Sequence, residues 1–108
     1  MEVYQKRCQQ ARERMLQEGI DYLFVAPSSD LLYFIGHEGH ITERLTLFVL
    51  PAEGEPFMVV PAFEAGRMSK VATFFSLATW GETDDPYAAL LGEMGEDAHR
   101  SISVAISD

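Results

Sequence analysis

Cysteine is almost missing. Cys8 stands alone in 108 residues, so no internal disulfide can form, and a reducing, cytoplasmic setting is the expectation. Positive charge is scarce too: eight Lys and Arg face 17 Asp and Glu, for a formal net charge of −9. Such a surface repels phosphate backbones and disfavours a nucleic-acid partner. No apolar run approaches the roughly 20 residues of a membrane span. The N-terminal stretch MEVYQKRCQQARERM has no apolar core after a basic start, so neither a signal peptide nor a membrane partner is expected. The glycines are scattered, and no phosphate-binding loop can be built from them.

The remaining composition suits a folded domain: 47% of residues are hydrophobic and 11% aromatic. A chain of this length buries roughly two-thirds of its unfolded surface, enough for a core without staples. Residues 1–108 read as one domain with no repeat or linker. The charge is uneven. Lys6, Arg7, Arg12 and Arg14 crowd the start, whereas residues 71–99 carry six acids and no Lys or Arg. Solubility suffices to explain this; a basic partner surface is the sharper reading.

Patterning gives the elements. Tyr4, Cys8, Ala11 and Met15 repeat at helical spacing over residues 3–18, and Gly19 stops the helix. DYLFVA (21–26) reads as a strand ended by Pro27. SSDLLYFIG offers Ser28 or Ser29 as the cap of a short helical turn that closes at Gly36. LTLFVLP (45–51) and PFMVVP (56–61) form a hairpin around Gly54, with Leu47 expected in the core. Both runs are almost continuously apolar, as in strands buried on both faces. AFEAGRMSK is a weaker helix, with Gly66 against it. TFFSLATW (73–80) is a strand. DDPYAALLGEMG is a helix capped by Asp84 or Asp85 and opened by Pro86, with Tyr87, Leu90, Leu91 and Met94 as its stripe. SISVAIS (101–107) is a last strand that turns Ile102, Val104 and Ile106 inward. The sum is a three-layer α/β domain: a mixed, mostly buried β-sheet covered by helices on both faces.

Candidate chemistry centres on FIGHEGHITERL (34–45). His37 and His40 stand three apart, and Gly36 and Gly39 break any helix between them, so the spacing does not match a zinc-protease motif. Cys8 and His99 are remote in sequence, and a zinc site needs three or four ligands, so a polar loop is the stronger reading. Adjacent Asp84 and Asp85 read as a helix cap. PSSD lacks the glycines of a nucleophile elbow. Cys8 lies on the apolar stripe of the first helix, where burial is expected. Arg44 closes the histidine loop at the edge of a buried strand. It reads first as a structural ion pair with Glu43 or Glu38, and second as a projecting reader of carboxylates. No catalytic constellation emerges from the residues themselves.

Three phrases in order, RCQQARERMLQEGIDYLFVAPSSDLLYFIG, ERLTLFVLPAEGEPFMVVPAFEAGR and TWGETDDPYAALLGE, resemble the N-terminal domain of the pita-bread metallopeptidases: Xaa-Pro aminopeptidase, prolidase (Xaa-Pro dipeptidase) and creatinase. The resemblance spans almost the whole chain, with Asp30 where the family often has Asn and Ile35 where it often has Thr. It implies a non-catalytic domain; the catalytic pita-bread domain, with its divalent metal pair (Mn, Co or Zn), lies outside this chain. It implies as partners that C-terminal domain, a second subunit in a homodimer, and a peptide substrate. It also implies that Arg44, His37 and His40 belong to a substrate-rim loop used across the subunit interface. The competing class is a stand-alone binding or regulatory module, with a small-ligand cleft at the strand ends near Pro27 and Gly81.

Overall fold

The computed structural model describes residues 2–38 and 44–107. Helix α1, Glu2–Glu18, buries Cys8 and Met15 and partly covers Ala11. It ends at Gly19, whose φ of 71° is left-handed, and the Ile20 N–H donates back to the Met15 carbonyl at 2.9 Å. β1 is Tyr22–Val25. α2, Ser29–Ile35, starts where Leu31 N–H donates to Ser28 Oγ and stops where Gly36 N–H donates to the Leu32 carbonyl. β2, Leu47–Pro51, and β3, Phe57–Pro61, make the hairpin, with Gly54 at φ 115° in its turn. After a 3-10 turn, Ala62–Glu64, come α3, Ala65–Met68, and β4, Ser76–Trp80. Next are α4, Pro86–Met94, a second 3-10 turn, Gly95–His99, and β5, Val104–Ser107. No helix among the described residues is long and apolar enough to cross a membrane.

The five strands lie in the order β4-β3-β2-β1-β5. β2 pairs antiparallel with β1 and β3, while β3–β4 and β1–β5 are parallel. Four strands therefore run one way and β2 alone runs the other. One face meets α1, α2 and α3: Cys8, Met15, Leu31, Ile35 and Met68 pack with Val25, Phe48, Leu50, Met58 and Val60. The opposite face meets α4, where Leu90 and Met94 pack with Tyr22, Val49, Val59, Ala78 and Trp80. Alternate residues of β2 and β3 feed both cores. This is why their sequences are apolar throughout, and it makes the predicted three-layer mixed sheet.

Four details differ from the sequence expectation. β4 begins at Ser76 instead of Thr73, because Phe75 leaves the strand line to pack edge-to-face on Phe48, ring centres 5.2 Å apart. Leu47 is half-buried at the border of the second core, beside the fully buried Phe48, Val49 and Leu50. On α4, Leu90 and Met94 are buried but Tyr87 and Leu91 are exposed; the helix packs on β3 and β4 through the first pair. Ile102 does pack on the second core, yet Val104 and Ile106 face solvent, Ile106 at 71% exposure. β5 is an edge strand, and α4 lies over β3 and β4, away from that edge.

Candidate functional site: the carboxyl end of the sheet

The sheet direction brings the carboxyl ends of β1, β3, β4 and β5 together with the start of β2. Ligands of open α/β sheets gather at such ends. His37 stands there, half-buried, just past the Gly36 cap of α2. Ser28 N–H donates to the Glu38 carbonyl at 3.1 Å and ties this segment to the end of β1. His40, Gly39 and Glu43 lie outside the described residues.

Arg44 is the best-defined member of this rim. The indole Nε1–H of buried Trp80 donates to the Leu45 carbonyl at 3.1 Å, which pins the chain next to Arg44 against the end of β4. The guanidinium lies over the Phe63 ring, 5.3 Å from its centre. Its Nη2 is 3.3 Å from Glu82 Oε1. The turn that carries Glu82 is held by its own bonds: Gly81 N–H donates to Asp84 Oδ2 at 2.8 Å, and Asp84 N–H donates to the Gly81 carbonyl at 3.0 Å. Asp85 then caps α4 by accepting from Tyr87 N–H. The described carboxylate beside Arg44 is Glu82, 38 residues away; Glu43, the nearer of the acids expected from the sequence, lies outside the described residues. A planar cation between an aromatic ring and a carboxylate is equipped to recognise a carboxylate or a carbonyl. Neither Phe63 nor Glu82 was singled out from the sequence. The available signal was position: each follows the carboxyl end of one of two parallel strands, in VVPAF and TWGE.

Among the described residues, no three His, Cys, Asp or Glu side chains gather closely enough to hold a metal ion. Two clefts lie at the other end of the sheet, and neither reaches Pro27 or Gly81. One, of about 280 Å³, is lined by Tyr22, Phe57, Ser76, Glu53, Glu55 and Glu93. Beside it Tyr22 O–H donates to Asp97 Oδ2 at 2.6 Å and Arg100 Nε–H donates to Asp97 Oδ1 at 2.7 Å. Burial, reinforced by Asp97, pushes the Tyr22 phenol up to about 12. The bond from Tyr22, with Arg100 beside it, holds Asp97 below the usual carboxylate range. The other cleft, of about 170 Å³, lies between α1 and the hairpin and includes Cys8 and Arg12. Burial lifts the Cys8 thiol to about 11, so it stays protonated at neutral pH and is no nucleophile.

Known proteins share this architecture. A Mycobacterium tuberculosis protein named "Probable dipeptidase PepE" is 34% identical over 97 residues, which cover 87% of this chain and 26% of that protein. The crystal structure of dipeptidase PepE from Mycobacterium ulcerans superposes with a TM-score of 0.78 at 34% identity, covering 86% of this chain and 26% of the other. A Thermococcus sibiricus prolidase has the same fold, with a TM-score of 0.82 at 22% identity, over 97% of this chain and 28% of the other. The chain therefore spans about a quarter of the length of these relatives. The Creatinase/Prolidase N-terminal domain family matches residues 7–106, nearly the whole chain, and the chain belongs to that family.

Proposed function

We propose that this chain is the non-catalytic N-terminal domain of a proline-specific dipeptidase or aminopeptidase of the metal-dependent type. In that protein the domain contributes to a homodimer and to the rim of the partner subunit's substrate site. The divalent metal pair and the hydrolytic chemistry belong to the C-terminal catalytic domain, and a cytoplasmic setting accompanies the reading. Arg44 is the rim residue that reads a substrate carboxylate or carbonyl, with His37 and His40 on the same loop. One observation carries this reading. The Arg44 guanidinium is presented at the exposed carboxyl end of the sheet, laid on Phe63, with its main chain fixed through the Trp80–Leu45 bond. The dipeptidase relatives, at 34% identity, support the enzyme class.

Replacing Arg44 with Ala in the full-length enzyme tests it. The ion pair with Glu82 is exposed on both sides, and such pairs contribute about 0–1 kcal/mol to stability. Melting should therefore change little. Loss of a charged substrate contact should lower kcat/KM about tenfold or more. A large drop in melting temperature with normal kinetics in the folded remainder would make Arg44 structural and remove it from the site.

A further inference from the structure

We propose that Glu82 is an intramolecular placeholder for the ligand carboxylate: it occupies the Arg44 guanidinium in the empty site and is displaced when a ligand with a free carboxylate arrives. This rests on the reading of Arg44 given above. The contact has the features of a displaceable pair. The Nη2 to Oε1 contact is 3.3 Å, and the side chains of Arg44 and Glu82 are 42% and 80% exposed, so water reaches both partners. A free carboxylate can fork onto two parallel guanidinium N–H groups, a geometry stronger and more directional than one long contact.

The surroundings allow the exchange without rebuilding the site. Glu82 projects from a turn whose backbone is tied by the Gly81–Asp84 bonds, so its side chain can leave while the turn stays. Phe63 lies beneath the guanidinium and belongs to a different element, the 3-10 turn after β3. It keeps an apolar face under the cation when Glu82 departs. Ligand binding must then compete with Glu82. The competitor weakens apparent affinity by the factor through which the empty site prefers the internal pair, about two- to fivefold for an exposed pair.

The test uses the full-length enzyme and two probes: a dipeptide with a free C-terminal carboxylate and the same dipeptide as its C-terminal amide. The readout is the ratio of kcat/KM for acid over amide, in the unmodified enzyme, in Glu82→Gln and in Arg44→Ala, with melting temperature as the check on folding. A placeholder predicts that Glu82→Gln raises this ratio about two- to fivefold and that Arg44→Ala abolishes the preference. The gain from Glu82→Gln should vanish in the double variant. If Glu82→Gln leaves the ratio unchanged or lowers it while Arg44→Ala still abolishes the preference, Glu82 does not compete and the placeholder is overturned, with the Arg44 reading intact. If Arg44→Ala leaves the preference untouched, both ideas fall together.

Discussion

Tyr22 and Asp97 are two ordinary residues that make stability depend on pH from both sides. Tyr22 opens β1, and its hydroxyl reaches 75 residues along the chain to Asp97 in the 3-10 turn after α4. Asp97 has a folded-state pKa below its ordinary value. Its contribution is present above the unfolded carboxylate range, near 4, and is lost as pH falls through that range and below. Tyr22 has a folded-state pKa raised to about 12 from 10.0. Its contribution is fully present below 10 and is lost as pH rises toward 12. Urea unfolding should therefore show stability falling on the acid side below about pH 4 and on the alkaline side above about pH 10. Tyr22→Phe should flatten both limbs, leaving the slopes set by the other titrating groups. Unchanged slopes in Tyr22→Phe would show that this bond does not couple folding to protons.

The elements show where a sequence can be read and where it cannot. α1, both hairpin strands and the caps of α2 and α4 are legible because local chemistry decides them. Ser28 accepts from a first-turn N–H, Gly19 and Gly36 adopt left-handed φ, and Pro86 opens α4. The outward faces of α4 and β5 were not legible, because alternation and helical spacing give a period but not the neighbour. Tyr87 and Leu91 have the same spacing as Leu90 and Met94, and only the placement of α4 on β3 and β4 decides which pair is buried. The rim was half legible: Arg44 stands out at the end of its loop, but Phe63 and Glu82 reach it only through the sheet order. The same logic gives a contrast in mutational cost. Leu50 is fully buried at the centre of the first core, so Leu50→Ala should cost about 2–5 kcal/mol. Ile106 is 71% exposed, so Ile106→Ser should stay within about 0.5 kcal/mol. Urea titrations of the two variants check this pair. A costly Ile106→Ser would return β5 to the inward alternation read from its sequence, and a Leu50→Ala loss below about 1 kcal/mol would remove β2 from the core.

For the whole molecule, the question is whether this chain does chemistry by itself. Peptide hydrolysis near neutral pH needs an activated water, supplied by a bound metal or by a base held against the substrate. Among the described residues no group of three metal-ligating side chains exists, and the one thiol is buried and held protonated. Two cores share one sheet, and a cation stands at the sheet's carboxyl rim between an aromatic ring and an acid. Such a rim is equipped to bind a carboxylate or a carbonyl. The 108-residue chain should accordingly unfold in one cooperative urea transition, as single domains of this size usually do. It should show no turnover of Xaa-Pro dipeptides, with or without added manganese or cobalt. The measurement is proline release by the purified chain, alongside His37→Ala, because His37 is the described histidine at the rim. Metal-dependent turnover that follows the chain through purification and disappears in His37→Ala would place catalysis within these residues and overturn the non-catalytic reading. The absence of turnover in a cooperatively folded chain would agree with the proposed division of labour, recognition at the rim and hydrolysis in the proposed catalytic domain.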